Sequence, residues 1–234
     1  MATIHIFVQS KATGKSLLAS FLAQYLRDNC GQSVSCVDTE LMFSSFSGFS
    51  GLGVEQVEVQ GLPAYCRSTA PEAAHVVVDT SASGFFPFCE QVQASLLPVL
   101  MESGHALLLH TVVTGGAQLV ETYNGFNSLA ENFPNLPFVL WLNPHYGEIT
   151  ASGKDFEASG VYLRHKAAIR ALVRMPVPSR LADEDVGSMY AQHQTFKEVQ
   201  EKTGLSFAVR LRLKQYKEAL FAELDKAGLC EPLS

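Results

Sequence analysis

The sequence predicts an α/β protein: a doubly wound, mostly parallel sheet with helices on both faces. Three observations point to it. Apolar segments of strand length alternate with segments of helical period, and the strands are apolar along their whole length instead of at every second residue. The first strand also runs through a short loop directly into a helix, the opening unit of a parallel sheet joined by helical crossovers.

The elements follow in order. Thr3-Ile4-His5-Ile6-Phe7-Val8-Gln9 is the first predicted strand, and Lys15 to Asn29 a helix, with Leu18, Phe21, Leu22, Tyr25 and Leu26 at helical spacing. Ser33 to Asp38 is a second short strand. Phe43 to Gly53, rich in Ser, Gly and Phe and without a period, reads as a mobile loop. His75-Val76-Val77-Val78-Asp79 is a strand ending in a carboxylate. Phe88 to Ser103 is predicted helical, Ala106 to Val113 a strand, Ala117 to Asn132 a helix and Phe138 to Asn143 a strand; Ala167 to Met175 fits either a helix or a strand. From about 206 to 227 an amphipathic helix is expected. Its stripe of Val209, Leu213, Tyr216, Leu220 and Leu224 should pack on the domain, and Arg210, Arg212, Lys214 and Lys217 should lie on the other side.

Composition narrows the class. With 234 residues, 47% hydrophobic and 17% charged, the chain can bury a sizeable core, and with no repeat or linker it reads as one domain over residues 1–234. The longest apolar run, from Ala106 to Val113, is far short of the ~20 residues that span a bilayer. No Lys or Arg precedes the first apolar stretch, so a signal peptide is not expected and the expected compartment is the cytoplasm. Cys30, Cys36, Cys66, Cys89 and Cys230 lack the spacing of a disulfide framework or zinc site and read as buried thiols. The seven histidines show no paired-ligand spacing, and no GxSxG or cysteine-nucleophile motif is present.

Charge gives the first functional hint. Residues 1–153 hold 12 acids and four bases, and two of those bases, Lys11 and Lys15, share one short loop; the expectation is that an anion is held there. Gly14-Lys15-Ser16 lies where the first strand turns into a helix. Backbone N–H groups at a helix start, a mobile lysine cation and a hydroxyl able to ligate Mg²⁺ together favour the phosphates of a nucleotide. The pattern GxxxxGK[ST] is not met, because Gln9 stands where its first glycine belongs. Asp79, at the end of a later apolar strand, is the carboxylate expected near the Mg²⁺ ion.

These residues resemble the deviant Walker A group of P-loop ATPases, the ParA/MinD-like family, whose loop reads KGGVGK[ST]. Here the loop reads Lys11-Ala12-Thr13-Gly14-Lys15-Ser16, one residue shorter and lacking two of the glycines. Val37-Asp38-Thr39-Glu40 is similar to the family's second-strand motif hhDxD, with Glu40 for the second aspartate, and His75 to Thr80 is similar to its Walker B strand. Trp141-Leu142-Asn143-Pro144 is similar to the strand end that reads adenine, and Met175-Pro176-Val177-Pro178-Ser179-Arg180 to the loop that closes over the base. Within the group the likeness is to the StbB/TraL branch of conjugative plasmids, carried by Ile4-His5, by Cys36 to Glu40 and by Trp141-Leu142-Asn143-Pro144-His145-Tyr146-Gly147-Glu148-Ile149.

The resemblance implies a set of expectations. ATP and Mg²⁺ are the cofactors. Ser10, Lys11, Ala12, Thr13, Gly14, Lys15, Ser16 and Leu17 hold the phosphates; Asn143, Pro176, Val177 and Pro178 hold the base; Ser16 and Asp79 hold Mg²⁺. Lys11, Lys15, Asp38 and Glu40 are the catalytic candidates, with Lys11 reaching the partner's nucleotide in an ATP-bound homodimer and Asp38 or Glu40 orienting water. The implied function is an Mg-dependent ATPase of weak turnover, a dimerisation switch in plasmid stability, positioning or conjugative transfer, with a plasmid-encoded DNA-binding protein as partner. A nucleotide-binding adaptor with little turnover and a small-molecule kinase or ligase are the alternatives. Lys154 to Arg180 carries six bases against two acids; a solvated helix face explains that, and nonspecific DNA contact through the C-terminal third is the other reading, while membrane contact is not expected.

Overall fold

In the computed structural model the residues described are 1–9, 13–42, 45–69, 72–80, 85–151 and 153–233. The strands are β1 (Thr3–Phe7), β2 (Val34–Asp38), β3 (Glu55–Gln56), β4 (His75–Asp79), β5 (Ala106–Thr114), β6 (Phe138–Asn143), a small antiparallel pair β7 (Thr150–Ala151) and β8 (Lys154–Asp155), and β9 (Ile169–Arg174). The helices are α1 (Lys15–Gln24), α2 (Leu62–Thr69), α3 (Phe85–Gln91), α4 (Leu97–Ser103), α5 (Leu119–Asn132), α6 (Gly160–His165), α7 (Arg180–Ala191), α8 (Phe196–Glu201) and α9 (Phe207–Ala227). Two helices carry π turns: α1 continues through one at Tyr25–Asn29, and another at Val92–Leu96 joins α3 to α4.

Seven strands form one sheet in the order β3-β2-β4-β1-β5-β6-β9, and every pairing in it is parallel. The strands are apolar throughout because both faces are covered, and successive side chains alternate between two cores. Ile4 and Ile6 of β1, Val76 and Val78 of β4, and Phe138 and Leu140 of β6 pack in one core with Phe88, Leu96, Phe126 and Leu129. Phe7, Val77, Leu108, Val139 and Trp141 face the other, with Leu18 and Phe21 of α1, Met189 of α7, Phe196 of α8 and Leu220 of α9.

The second core contains a polar row. Trp141 Nε1 donates to His110 Nδ1 at 3.0 Å, His110 Nε2 meets His5 Nδ1 at 2.9 Å, His5 Nε2 meets His75 Nδ1 at 3.0 Å, and His75 Nε2 meets the Cys230 carbonyl at 3.3 Å. Burial lowers the pKa of all three imidazoles, that of His110 to about 3, so the row is neutral and its groups satisfy one another.

The structure changes three of the sequence expectations. Cys30 and Cys230 are joined in a disulfide across 200 residues, because the tail after α9 folds back onto the end of α1; only Cys36, Cys66 and the half-buried Cys89 are free thiols. The stretch expected to be a mobile loop is, over its described residues 45–53, anchored by Phe46, Phe49 and Leu52, which are buried in the second core. Lys154 to Arg180 is not one helix face: it holds β8, α6 and β9, with Arg164 near Glu131 at 3.6 Å and Arg174 paired with Glu157. Within the segment from 167 to 175, Ile169–Arg174 is the strand β9, preceded by a 3₁₀ turn at Lys166–Ala168. α9 packs its stripe as expected, burying Leu213, Tyr216, Leu220 and Leu224, while Arg212 pairs with Asp185 of α7 at 2.6 Å. Among the described residues no helix is long and apolar enough to cross a membrane.

Candidate functional site

The site sits at the carboxyl ends of β1, β2 and β4, where a doubly wound sheet leaves its crevice. Past β1, Val8 N–H still bonds the His110 carbonyl at 2.9 Å. Gln9 then turns inward: its Oε1 accepts from the Thr111 hydroxyl at 2.5 Å and from Val112 N–H at 3.3 Å. A buried amide bolted to β5 thus occupies the place of the missing first glycine. Ser10, Lys11 and Ala12 lie outside the described residues. Gly14, at φ +81°, makes the left-handed turn into α1, a conformation free of Cβ strain only in glycine, and its carbonyl accepts the first helical bond from Leu18 N–H at 3.0 Å.

The first turn of α1 then delivers Lys15 and Ser16 to β4. Lys15 Nζ donates to Asp79 Oδ1 and to the Thr80 carbonyl, and its side chain is only 8% exposed. Ser16, the next residue, acts on the same carboxyl and favours its charged form. Burial pushes the Asp79 carboxyl above the usual carboxylate range; Lys15 and Ser16 pull it back, and the Asp38 charge on the neighbouring strand pushes it up again.

Asp38 lies opposite Asp79 in the parallel register. Its Oδ1 accepts from Glu40 N–H at 2.8 Å and its Oδ2 from Ser47 N–H at 3.1 Å, so it shapes the turn after β2. Glu40 is half-exposed beside it. Ser16 and Asp79 bring hard oxygen donors together, which fits Mg²⁺, but among the described residues no group of three His, Cys, Asp or Glu could hold a metal alone. Water or the oxygens of a bound phosphate would complete the shell of an Mg²⁺ ion here.

Beside the loop opens a cavity of about 700 Å³. Thr13, Gly14 and Leu17 form one wall, Asn143 to Tyr146 a second, and Met175 to Pro178 with α7 a third. Asn143 Oδ1 accepts from His145 N–H at 3.1 Å, which holds the turn and leaves the amide N–H₂ as donor. His145 Nδ1 lies 3.2 Å from Asp183 Oδ1, tying the second wall to the third. Thr13 Oγ1 is buried and has no hydrogen-bond partner among the described residues, an orphan that a ligand oxygen would satisfy.

The second wall is set by a backbone crossing. A Cβ on Gly115 would lie 1.8 Å from the Gly147 carbonyl oxygen, and one on Gly116 2.1 Å from that of Tyr146. The loops after β5 and β6 therefore touch backbone to backbone, which explains the glycine following Trp141-Leu142-Asn143-Pro144-His145-Tyr146. Of the residues singled out by sequence, Thr13 to Leu17, Asp38 and Asp79 meet at the loop, and Asn143 and Pro176 to Pro178 line the cavity. Sequence reasoning missed the Gln9 bridge, the Thr80 carbonyl and the His145–Asp183 tie. Only Gln9 gave a signal, by breaking the loop pattern.

A parallel seven-stranded sheet with a lysine-bearing loop entering α1 defines the class as a P-loop nucleotide-binding fold of the ParA/MinD type. Solved structures agree: MinD in the MinC:MinD cell division complex of Aquifex aeolicus (TM-score 0.58, 12% identity, 100% of this chain and 99% of that one), the septum site-determining protein MinD with Mg-ADP from Pyrococcus horikoshii (0.57, 14%, 98% and 98%) and a plasmid partition protein from Borrelia burgdorferi (0.50, 14%, 97% and 100%). At these identities the likeness is one of fold. Two proteins named TraL from Escherichia coli are each 34% identical over an alignment of 241 positions, gaps included, that covers 98% of this chain and 100% of theirs. The chain belongs to the TraL family. No family model matches it.

Proposed function

We propose that the chain is an Mg-ATP-dependent switch that hydrolyses ATP slowly, pairs with a second copy when ATP is bound, and serves plasmid stability, positioning or transfer. The observation that carries this is the convergence of Lys15, Ser16 and Asp79 at the start of α1, next in sequence to Thr13, Gly14 and Leu17, which line the cavity. Mg²⁺ would supply charge neutralisation between the β- and γ-phosphates. Lys15 would leave Asp79 for the phosphate oxygens, Ser16 and Asp79 would hold the ion directly and through water, and Asn143 with the loop Pro176 to Pro178 would hold the base. Lys11 would act across the dimer, and Glu40, whose neighbour Asp38 is occupied by two backbone N–H groups, is the better placed of the two acids to orient water.

Dimerisation on this face is supported by exposed apolar side chains at the carboxyl edge: Leu41 and Met42 after β2, Tyr146 after β6, and Val177 and Leu181 after β9. The plasmid role rests on the TraL family membership and the partition-protein fold. A plasmid-encoded DNA-binding partner, and nonspecific DNA contact through the basic last third, belong to the same reading. ADP release and sedimentation of the wild type and Lys15→Ala, with and without Mg-ATP, test it: Lys15-dependent turnover together with ATP-dependent dimers is expected. ATP-independent mass and no Lys15 effect on turnover would contradict it. The two caps on Asp38 favour a second reading, an adaptor that binds Mg-ATP and dimerises without releasing ADP.

A further inference from the structure

We propose that Cys30 and Cys230 form a reversible thiol–disulfide site, opened by a small dithiol, that straps the C-terminal segment to the far end of α1. Cys30 closes the π turn after α1, its N–H bonding the Tyr25 carbonyl at 3.1 Å. Cys230 lies two residues past Gly228, which ends α9 at φ +63°. Their Cα atoms are 5.6 Å apart, and both residues are partly exposed, the side from which a reductant would approach the pair in the folded chain.

The remaining cysteines do not compete. Cys36 and Cys66 are buried, and burial pushes their thiols up to about 12; Cys89 is pushed up to about 11. The reacting species in exchange is the thiolate, which these three scarcely form near neutral pH. Upstream of the strap, α9 has its own anchors: the Tyr25 hydroxyl donates to Asp225 at 2.8 Å, and Tyr25 meets Phe221 edge to face at 5.4 Å. Beyond Gly228 the noncovalent ties are fewer. Leu229 is buried, the Cys230 carbonyl accepts from His75 at 3.3 Å, and Leu233 N–H donates to Thr3 Oγ1 at 2.7 Å. Opening the disulfide therefore loosens the tail and leaves the helix in place.

The exchange balances. One thiolate of the dithiol attacks a sulfur of the pair, forming a mixed disulfide and expelling the other cysteine as a thiolate, which takes up a proton. The second thiol, on losing its proton, attacks the reagent's own sulfur and releases the second cysteine. The protein disulfide gains two electrons and the dithiol closes to a cyclic disulfide. The His75 N–H then loses its fixed acceptor, and the histidine row opens toward water at that end.

The test treats the folded full-length chain with oxidised glutathione and then with dithiothreitol. Peptide mapping of maleimide-labelled thiols and amide exchange are read at each stage. The expected result is a linked Cys30–Cys230 peptide after oxidation, and labelling of both cysteines after dithiothreitol without denaturant while Cys36 and Cys66 stay unlabelled. Amides of 229–233 should exchange at least about tenfold faster once reduced, with residues 213–227 unchanged. Cys230→Ser should show the fast tail with or without reductant. Absence of the linked peptide after oxidation, labelling of Cys30 and Cys230 only in denaturant, or equal tail exchange in both states overturns the proposal.

Discussion

Proton positions along the histidine row follow from one donor. Indole N–H can only donate, so His110 must accept at Nδ1 and carry its proton on Nε2; the same assignment passes to His5 and then to His75, which donates to the Cys230 carbonyl. Nitrogen-15 imidazole spectra should show three neutral Nε2–H rings, and a proton on Nδ1 of any of them would contradict the row. The linkage has a definite sign. In the unfolded chain these groups titrate near ~6.5, whereas folded they are held neutral to lower pH, His110 to about 3. Their contribution to stability is therefore complete above ~6.5 and is lost as pH falls below it, by up to ~1.4 kcal/mol per pH unit for each histidine. Thermal unfolding followed from pH 7.5 to pH 5 should show a falling midpoint, and replacing His5 with Gln should flatten that slope. None of this was legible in the sequence, where His5, His75 and His110 lack ligand spacing. Pairing brings them together on neighbouring strands: β1 lies between β4 and β5, with Thr3 opposite His75 and Phe7 opposite His110, which makes both histidines diagonal neighbours of His5.

Elements with a strong period were readable, and those shaped by long-range contact were not. β1, β4, β5 and β6 are apolar runs, and α1 and α9 carry stripes at helical spacing. By contrast α7 and α8 are polar, and what fixes them lies elsewhere: Phe196 N–H donates to Gln24 Oε1 of α1 at 2.7 Å, and Asp185 meets Arg212 of α9. The segment 45–53 has no period because its aromatic residues anchor it singly. Two glycines separate crowding from helix propensity. Gly115 has an ordinary φ of −73°, so Gly115→Ala pits one methyl group against the Gly147 carbonyl; a loss of about 1–3 kcal/mol is expected in chemical denaturation. Gly125, inside α5, would place a Cβ 3.9 Å from Gln9 Nε2, which is ordinary contact. Gly125→Ala should gain about 0.5–1 kcal/mol of stability in the same assay. A stable Gly115→Ala protein would remove the backbone crossing as the device that sets the second cavity wall.

At the scale of the whole molecule, the sheet separates two ends with different tasks. The amino edge is closed by the tail, through the disulfide, His75 and Thr3, while the carboxyl edge gathers the loop, the acids and the exposed apolar side chains. The fold class and half of the site were legible because a strand–loop–helix opening with Gly14-Lys15-Ser16 and a strand ending in Asp79 are local patterns. The cavity was harder to foresee, since it is assembled from three loops and α7, and the tail strap joins residues 200 apart. The proposed switch requires Lys15 to exchange Asp79 for a phosphate. Calorimetric titration of Mg-ATP into the wild type and Lys15→Ala tests this most directly. Because a charge-assisted contact contributes about 1.5–3 kcal/mol, saturable binding by the wild type and a loss of about tenfold or more in the variant are expected. Equal affinity in the two proteins, or no binding by the wild type, would contradict it.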